Sequence, residues 1–137
     1  MTTESSLLAF ITIPGPPVTW KSHGGSGRRS FNPRWREKEY FQAKIKEQYS
    51  GNLLEEQIAG EFIFFIPIPQ SVSKRNRLKM ISGETRPKKR GDRSNMLKFT
   101  EDCLIGIVVK DDSIFVDGPV RKFYDENPRT VIKIWTV

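Results

Sequence analysis

Histidine and cysteine are almost missing from this 137-residue chain, with one of each, His23 and Cys103. One thiol cannot close an internal disulfide, and one histidine cannot build a two-histidine zinc site. No Ser/His/Asp or Cys/His nucleophile arrangement can be assembled from so few parts, and His23 sits in a glycine-rich stretch. A long apolar run is also lacking. The longest, residues 62–68, is interrupted by Pro67 and has strand length, well short of the roughly 18 residues that span a bilayer. A basic start followed by an apolar stretch, the mark of a signal peptide, is not apparent either. These absences lead to the expectation of a soluble, cytoplasmic, single-domain protein over 1–137, with no membrane partner and no small-molecule cofactor. Residues 1–6 are polar and read as disordered.

Acidic residues are nearly missing from one segment. Between Gln70 and Arg90 stand Lys74, Arg75, Arg77, Lys79, Arg86, Lys88, Lys89 and Arg90, opposed only by Glu84. That segment carries the whole net charge of +7, because the remaining 15 basic and 15 acidic residues balance. Concentrated positive charge binds polyanions by releasing their counterions, so these eight residues are candidate DNA contacts. A solvated, solubilising face is the plain alternative for a basic run taken alone. An RNA-binding or ribosome-associated protein also fits the charge, but it leaves the acidic segment that follows unexplained.

The order of elements reads β-α-β-α-α-β-β-β. A strand over 7–13 ends at Pro14-Gly15-Pro16-Pro17. Asn32-Pro33 reads as a cap opening a helix to about Tyr49, with Lys38, Phe41, Ile45 and Gln48 on one face. A buried strand covers 60–68, and Ser73 caps a short basic helix over 74–81 that ends at Gly83. A second main helix runs from about Ser94 to Ile105 and stops at Gly106. Strands are expected over 107–110, 113–116, 120–124 and 130–137, with a turn or bulge at Asp117-Gly118-Pro119. The pattern predicts an α+β domain with a mixed, largely antiparallel sheet, two main helices and a short basic helix.

The chemistry is concentrated in GDRSNMLKFTEDCLIGIVVKDDS, residues 91–113. Met96, Phe99 and Cys103 form a core stripe, while Asn95, Lys98 and Asp102 line another. Lys98 stands one turn beyond Asp92 and Ser94. A short return after Gly106 can bring Asp111-Asp112 back toward the helix start, and only one of these two consecutive side chains is expected to reach a shared point. Carboxylates around a lysine suit Mg²⁺, which takes oxygen ligands, keeps several waters and assists attack on phosphorus. Read without further information, Asp92 is equally a helix cap, Lys98 and Asp102 an exposed ion pair, and Asp111-Asp112 a polar turn.

The segment from Pro67 to Ile134 resembles the RusA family of Holliday-junction resolvases. Pro69 through Ser73, the basic helix Lys74–Met80, GDRSNMLKFTEDCLIG, Lys110-Asp111-Asp112-Ser113, Arg121-Lys122-Phe123-Tyr124 and Pro128 through Ile134 follow the family pattern in order. Ile11-Thr12-Ile13-Pro14-Gly15-Pro16-Pro17 looks like its opening strand and turn. The resemblance implies a homodimeric, Mg²⁺- or Mn²⁺-dependent endonuclease that cuts branched DNA in recombination, repair or phage DNA processing, with a phage or prophage origin. It places the catalytic and metal-binding acids on Asp92 and Asp112, the catalytic lysine on Lys98, and possible accessory roles on Asp111, Asn95 and Asp102. The sequence departs from the pattern at Ser94, where the family motif has a second aspartate. Gly91 replaces a frequent proline, and Thr19-Trp20-Lys21 stands where a more basic run is common. Three consequences of Ser94 stay open: activity with the remaining carboxylates, Asp111 or Asp102 being recruited; a differently tuned nuclease; or junction binding without cutting.

Overall fold

A computed structural model of the chain describes residues 6–21, 33–89 and 92–137. The described elements are β1 (Leu7–Pro14), α1 (Trp35–Gln48), β2 (Ile58–Pro67), α2 (Lys74–Ile81), α3 (Asp92–Leu104), a 3-10 turn (Asp112–Ile114), β3 (Phe115–Asp117), β4 (Val120–Asp125) and β5 (Arg129–Thr136). The architecture is α+β, with one mixed sheet and helices of the expected number and order. Expectations for the glycine-rich stretch with His23, the Asn32 cap, Arg90 and Gly91 fall outside the described residues.

The most apolar strand sits at the centre. On β2, Ile58, Gly60, Phe62 and Phe64 are buried while the residues between them are only half-buried, the period of two that a strand imposes. Antiparallel β5 flanks one side of β2, pairing Phe62 with Ile132 and Phe64 with Thr130. Antiparallel β1 closes that side, with Ile11 opposite Ile132. The other side of β2 carries β3 and then β4, both parallel to it. The last two strands therefore straddle β2 without pairing with one another.

The break between β3 and β4 has a steric cause. Gly118 has φ +122°, and a Cβ there would lie 1.7 Å from the Gly60 carbonyl oxygen, so only glycine permits the crossing.

Helices α1 and α3 cover the face formed by Ile11, Ile13, Phe62, Phe64, Ile132 and Ile134. Phe41 of α1 meets Phe99 of α3 edge-on at 5.0 Å between ring centres. The four residues read as one face of α1 all point inward to partners. Phe41 and Ile45 are buried, the Gln48 amide bonds the Thr12 backbone in both directions at 2.8 Å, and Lys38 reaches Asp102 at 3.0 Å.

Three local expectations need correction. No strand forms over 107–110. Gly106, at φ +86°, turns the chain tightly, and the Leu104 carbonyl accepts from Ile107, Val108 and Val109 N–H at 3.0–3.3 Å. The segment is held by Leu54 instead, whose N–H donates to Val108 and whose carbonyl accepts from Lys110. Residues 112–114 form a 3-10 turn, because the Asp111 carboxylate accepts from Ser113 N–H at 3.2 Å and caps it. Ser6, placed in a disordered start, exchanges hydrogen bonds of 2.8 and 2.9 Å with Thr136; residues 1–5 lie outside the described set.

Candidate active site and nucleic-acid interface

Helix α3 is the platform. Met96, Phe99, Thr100, Cys103 and Leu104 are buried, and this stripe locks the rotation of the helix against the sheet. Burial pushes the Cys103 thiol up to about 12, reinforced by the Asp102 charge and opposed by Lys38. Cys103 is a packed core residue with no nucleophilic role. Asp92 opens the helix and is half-buried. Its carboxylate there suits the positive end of the helix dipole.

Lys98 projects to the surface, where its ammonium lies 3.5 Å from the centre of the Trp20 ring. Trp20 is itself fixed to the helix, its N–H donating to the Asn95 carbonyl at 2.8 Å. A cation held on a ring face keeps its N–H donors free for other acceptors. Lys98 and Asp102, four residues apart, do not pair. Asp102 is drawn to α1 by Lys38 at 3.0 Å. Its place is structural: it ties the two main helices together.

The return after Gly106 does bring Asp112 back to α3, with an unforeseen neighbour. Glu101 is half-buried, and its carboxyl is pushed up to about 7, first by burial and then by the charge of Asp112. Glu101 also lines a cleft of about 390 Å³ between α3 and the β3–β4 edge, with Leu97, Phe115, Asp117 and Val120 among its walls. Sequence reasoning misses Glu101 because it draws the outer stripe through Asn95, Lys98 and Asp102. Positions 94, 98 and 101 form an equally good helical stripe. Asp111 is fully exposed, and the hydrogen bonds from Ser113 hold its carboxyl below the usual range. Ser94 is exposed on the outer side of α3.

The donor set at this end of the molecule is oxygen only, which suits a hard divalent cation. Among the described residues no three His, Cys, Asp or Glu side chains converge tightly enough to hold a metal. A cation here would take one or two carboxylates and otherwise water and phosphate, a common arrangement for Mg²⁺.

The basic segment leads into this site along the chain. In α2 the Ser73 hydroxyl accepts from Asn76 N–H at 3.2 Å, and no residue of the helix is buried. Lys74 and Arg75 are exposed and Lys79 is partly exposed, while Arg77 pairs with Glu126 at 3.4 Å. Past Gly83 the chain crosses Phe123, on which the Arg86 guanidinium lies at 4.1 Å. Pro87 is buried, whereas Lys88 and Lys89 face solvent. The Lys89 carbonyl accepts from Lys122 at 3.4 Å. Phe123 stacks on Phe65 at 5.8 Å, so the arm is anchored to the sheet by rings and leaves most of its charges outward. Among the described residues, no helix is long and apolar enough to cross a membrane.

Comparison with known proteins agrees with this assembly. The chain is 31% identical over 99 residues to "Uncharacterized protein YqaN" of Bacillus subtilis (strain 168), covering 71% of this chain and 70% of that protein. Residues 15–135, from the first turn to the last strand, match the family described as "Endodeoxyribonuclease RusA". The chain belongs to the RusA endodeoxyribonuclease family.

Proposed function

We propose that the protein is a divalent-metal-dependent endonuclease that cuts four-way DNA junctions as a homodimer. The observation that carries the reading is the meeting of the Asp112 turn with α3, the helix that also bears Asp92 and Lys98, directly after a basic arm. Asp92 and Asp112 are the family-motif carboxylates that would hold Mg²⁺ or Mn²⁺. The bound ion would neutralise phosphate charge and favour ionisation of an attacking water. Lys98 keeps free donors for a phosphate oxygen and stabilises charge on the leaving side. Lys74, Arg75, Arg77, Lys79, Arg86, Lys88, Lys89 and Arg90 supply phosphate contacts, which position DNA without reading its bases. Selectivity then rests on junction shape, and a two-fold dimer matches two equivalent strands to two sites. The role is DNA recombination, repair or phage DNA processing in a bacterial cytoplasm, with a phage or prophage origin.

Ser94 favours a second reading, because its position lacks the motif's second carboxylate: a protein that binds junctions without cutting them. One experiment separates the two. A synthetic four-way junction and a linear duplex of the same sequence are incubated with the protein in Mg²⁺, Mn²⁺ or EDTA. The nuclease reading expects paired nicks in the junction with metal and none in EDTA. It also expects Asp112→Asn to slow cleavage by about 10³-fold, equivalent to several kcal/mol of transition-state charge stabilisation. EDTA-insensitive junction binding with no cleavage in Mn²⁺ establishes the second reading. Loss of neither binding nor cleavage in Asp112→Asn sinks the proposed site.

A further inference from the structure

The open question at position 94 has an answer three residues past Lys98. We infer that Glu101 is the carboxylate that stands in for the missing one, so that Glu101 and Asp112 together hold the divalent cation. This rests on the nuclease reading above.

Helix geometry supports the assignment. Ser94, Lys98 and Glu101 follow one another at four and three residues, on one outer stripe of α3. The opposite side of the helix is committed to the core through Met96, Phe99, Cys103 and Leu104. A carboxylate at 101 therefore projects on the side where a carboxylate at 94 would project, two turns further along. Asp112, returned by the turn after Gly106, faces that second location.

The other candidates are engaged elsewhere. Asp102 is bound to Lys38 at 3.0 Å, and Asp111 commits its carboxylate to Ser113 N–H at 3.2 Å. Neither is free to replace the absent ligand without breaking an interaction that holds the fold. Glu101 has no such use. Among the described residues no ion pair or hydrogen bond reaches its carboxylate, although it is half-buried in the wall of the cleft.

Two neighbouring carboxylates, one of them partly withdrawn from water, repel each other unless a cation or a proton lies between them. An exposed glutamate could swing into solvent and avoid the cost. Here Leu97, Phe115 and Val120 enclose the cleft around Glu101. The nearest cation on the stripe, Lys98, is directed onto Trp20. The pair thus lacks a protein cation, and a hydrated divalent ion supplies the missing charge with a ligand number that two carboxylates and water satisfy.

The test uses the full chain without DNA, titrated with Mn²⁺ by calorimetry, together with junction cleavage by the same preparations. Glu101→Gln keeps the shape and removes the charge. It is expected to weaken Mn²⁺ binding more than tenfold, the scale on which metal sites respond to removal of a supporting group. The melting temperature of the metal-free protein should hold or rise, because a like-charge repulsion is removed. Adding Ser94→Asp to Glu101→Gln is expected to recover most of the affinity and the cleavage. A glutamate with only a packing role would leave Mn²⁺ affinity unchanged in Glu101→Gln, and that result overturns the inference while wild-type cleavage leaves the nuclease reading intact. A wild type that neither binds Mn²⁺ nor cuts overturns both.

Discussion

Helices α2 and α3 follow one another in the chain and are built in opposite ways. Five side chains of α3 are buried against the sheet and α1, whereas α2 buries none, and its Leu78 and Ile81 lie open to solvent. What holds α2 is local: the Ser73 cap, the Arg77–Glu126 pair and the glycine stop at Gly83. The difference follows from what each helix carries. Charge that grips a phosphate backbone works at long range and tolerates a loosely packed support. Chemistry at one phosphorus needs side chains held to within a fraction of an ångström, which only a packed helix provides.

The sharpest way to probe the contrast is through Lys98. Lys98→Met keeps the stem against Trp20 and removes the charge. It should slow single-turnover junction cleavage by about 10²- to 10³-fold, the scale of removing one aimed transition-state donor, while Kd for the junction changes little. An effect confined to binding would place Lys98 with the basic arm and erase the distinction.

Stability gives the next test. Phe99→Ala, which empties the ring packing against Phe41, should cost about 3–5 kcal/mol in urea unfolding. Ser73→Ala removes the cap of α2 and should cost about 1 kcal/mol. Equal costs would mean that α2 is as firmly integrated as α3, against its exposed apolar residues.

What is legible in the sequence divides along the same line. Helix α2 can be read end to end, because its signals are adjacent in the chain: Ser73 before it and Gly83 after it. The inward face of α1 is equally readable, since Phe41 and Ile45 repeat at helical spacing. The site is only partly readable. Asp92, Lys98 and Asp112 stand out by motif, but Glu101 depends on a tertiary return that spacing alone does not define. The return itself reads as a strand, because Ile107, Val108 and Val109 have β propensity, while Gly106 and the Leu104 carbonyl impose a turn. The pairing of β4 and β5 with opposite sides of β2 is likewise invisible in sequence, as neighbouring strands more often pair with each other.

The most direct test of the central claim, that α3 and the Asp112 turn cut what α2 and its arm hold, is one paired measurement on one four-way junction in Mg²⁺. Kd and the cleavage rate at saturating protein are measured for Asp112→Asn and for the double variant Lys74→Glu, Arg75→Glu. The account predicts that Asp112→Asn loses the rate and keeps Kd. The double variant should bind more weakly and show a shallower salt dependence, by about one unit of slope for each phosphate no longer neutralised, yet recover the wild-type rate at saturation. If Asp112→Asn weakens binding while cutting normally, or if the α2 variant stays slow at saturation, the division between grip and chemistry is wrong.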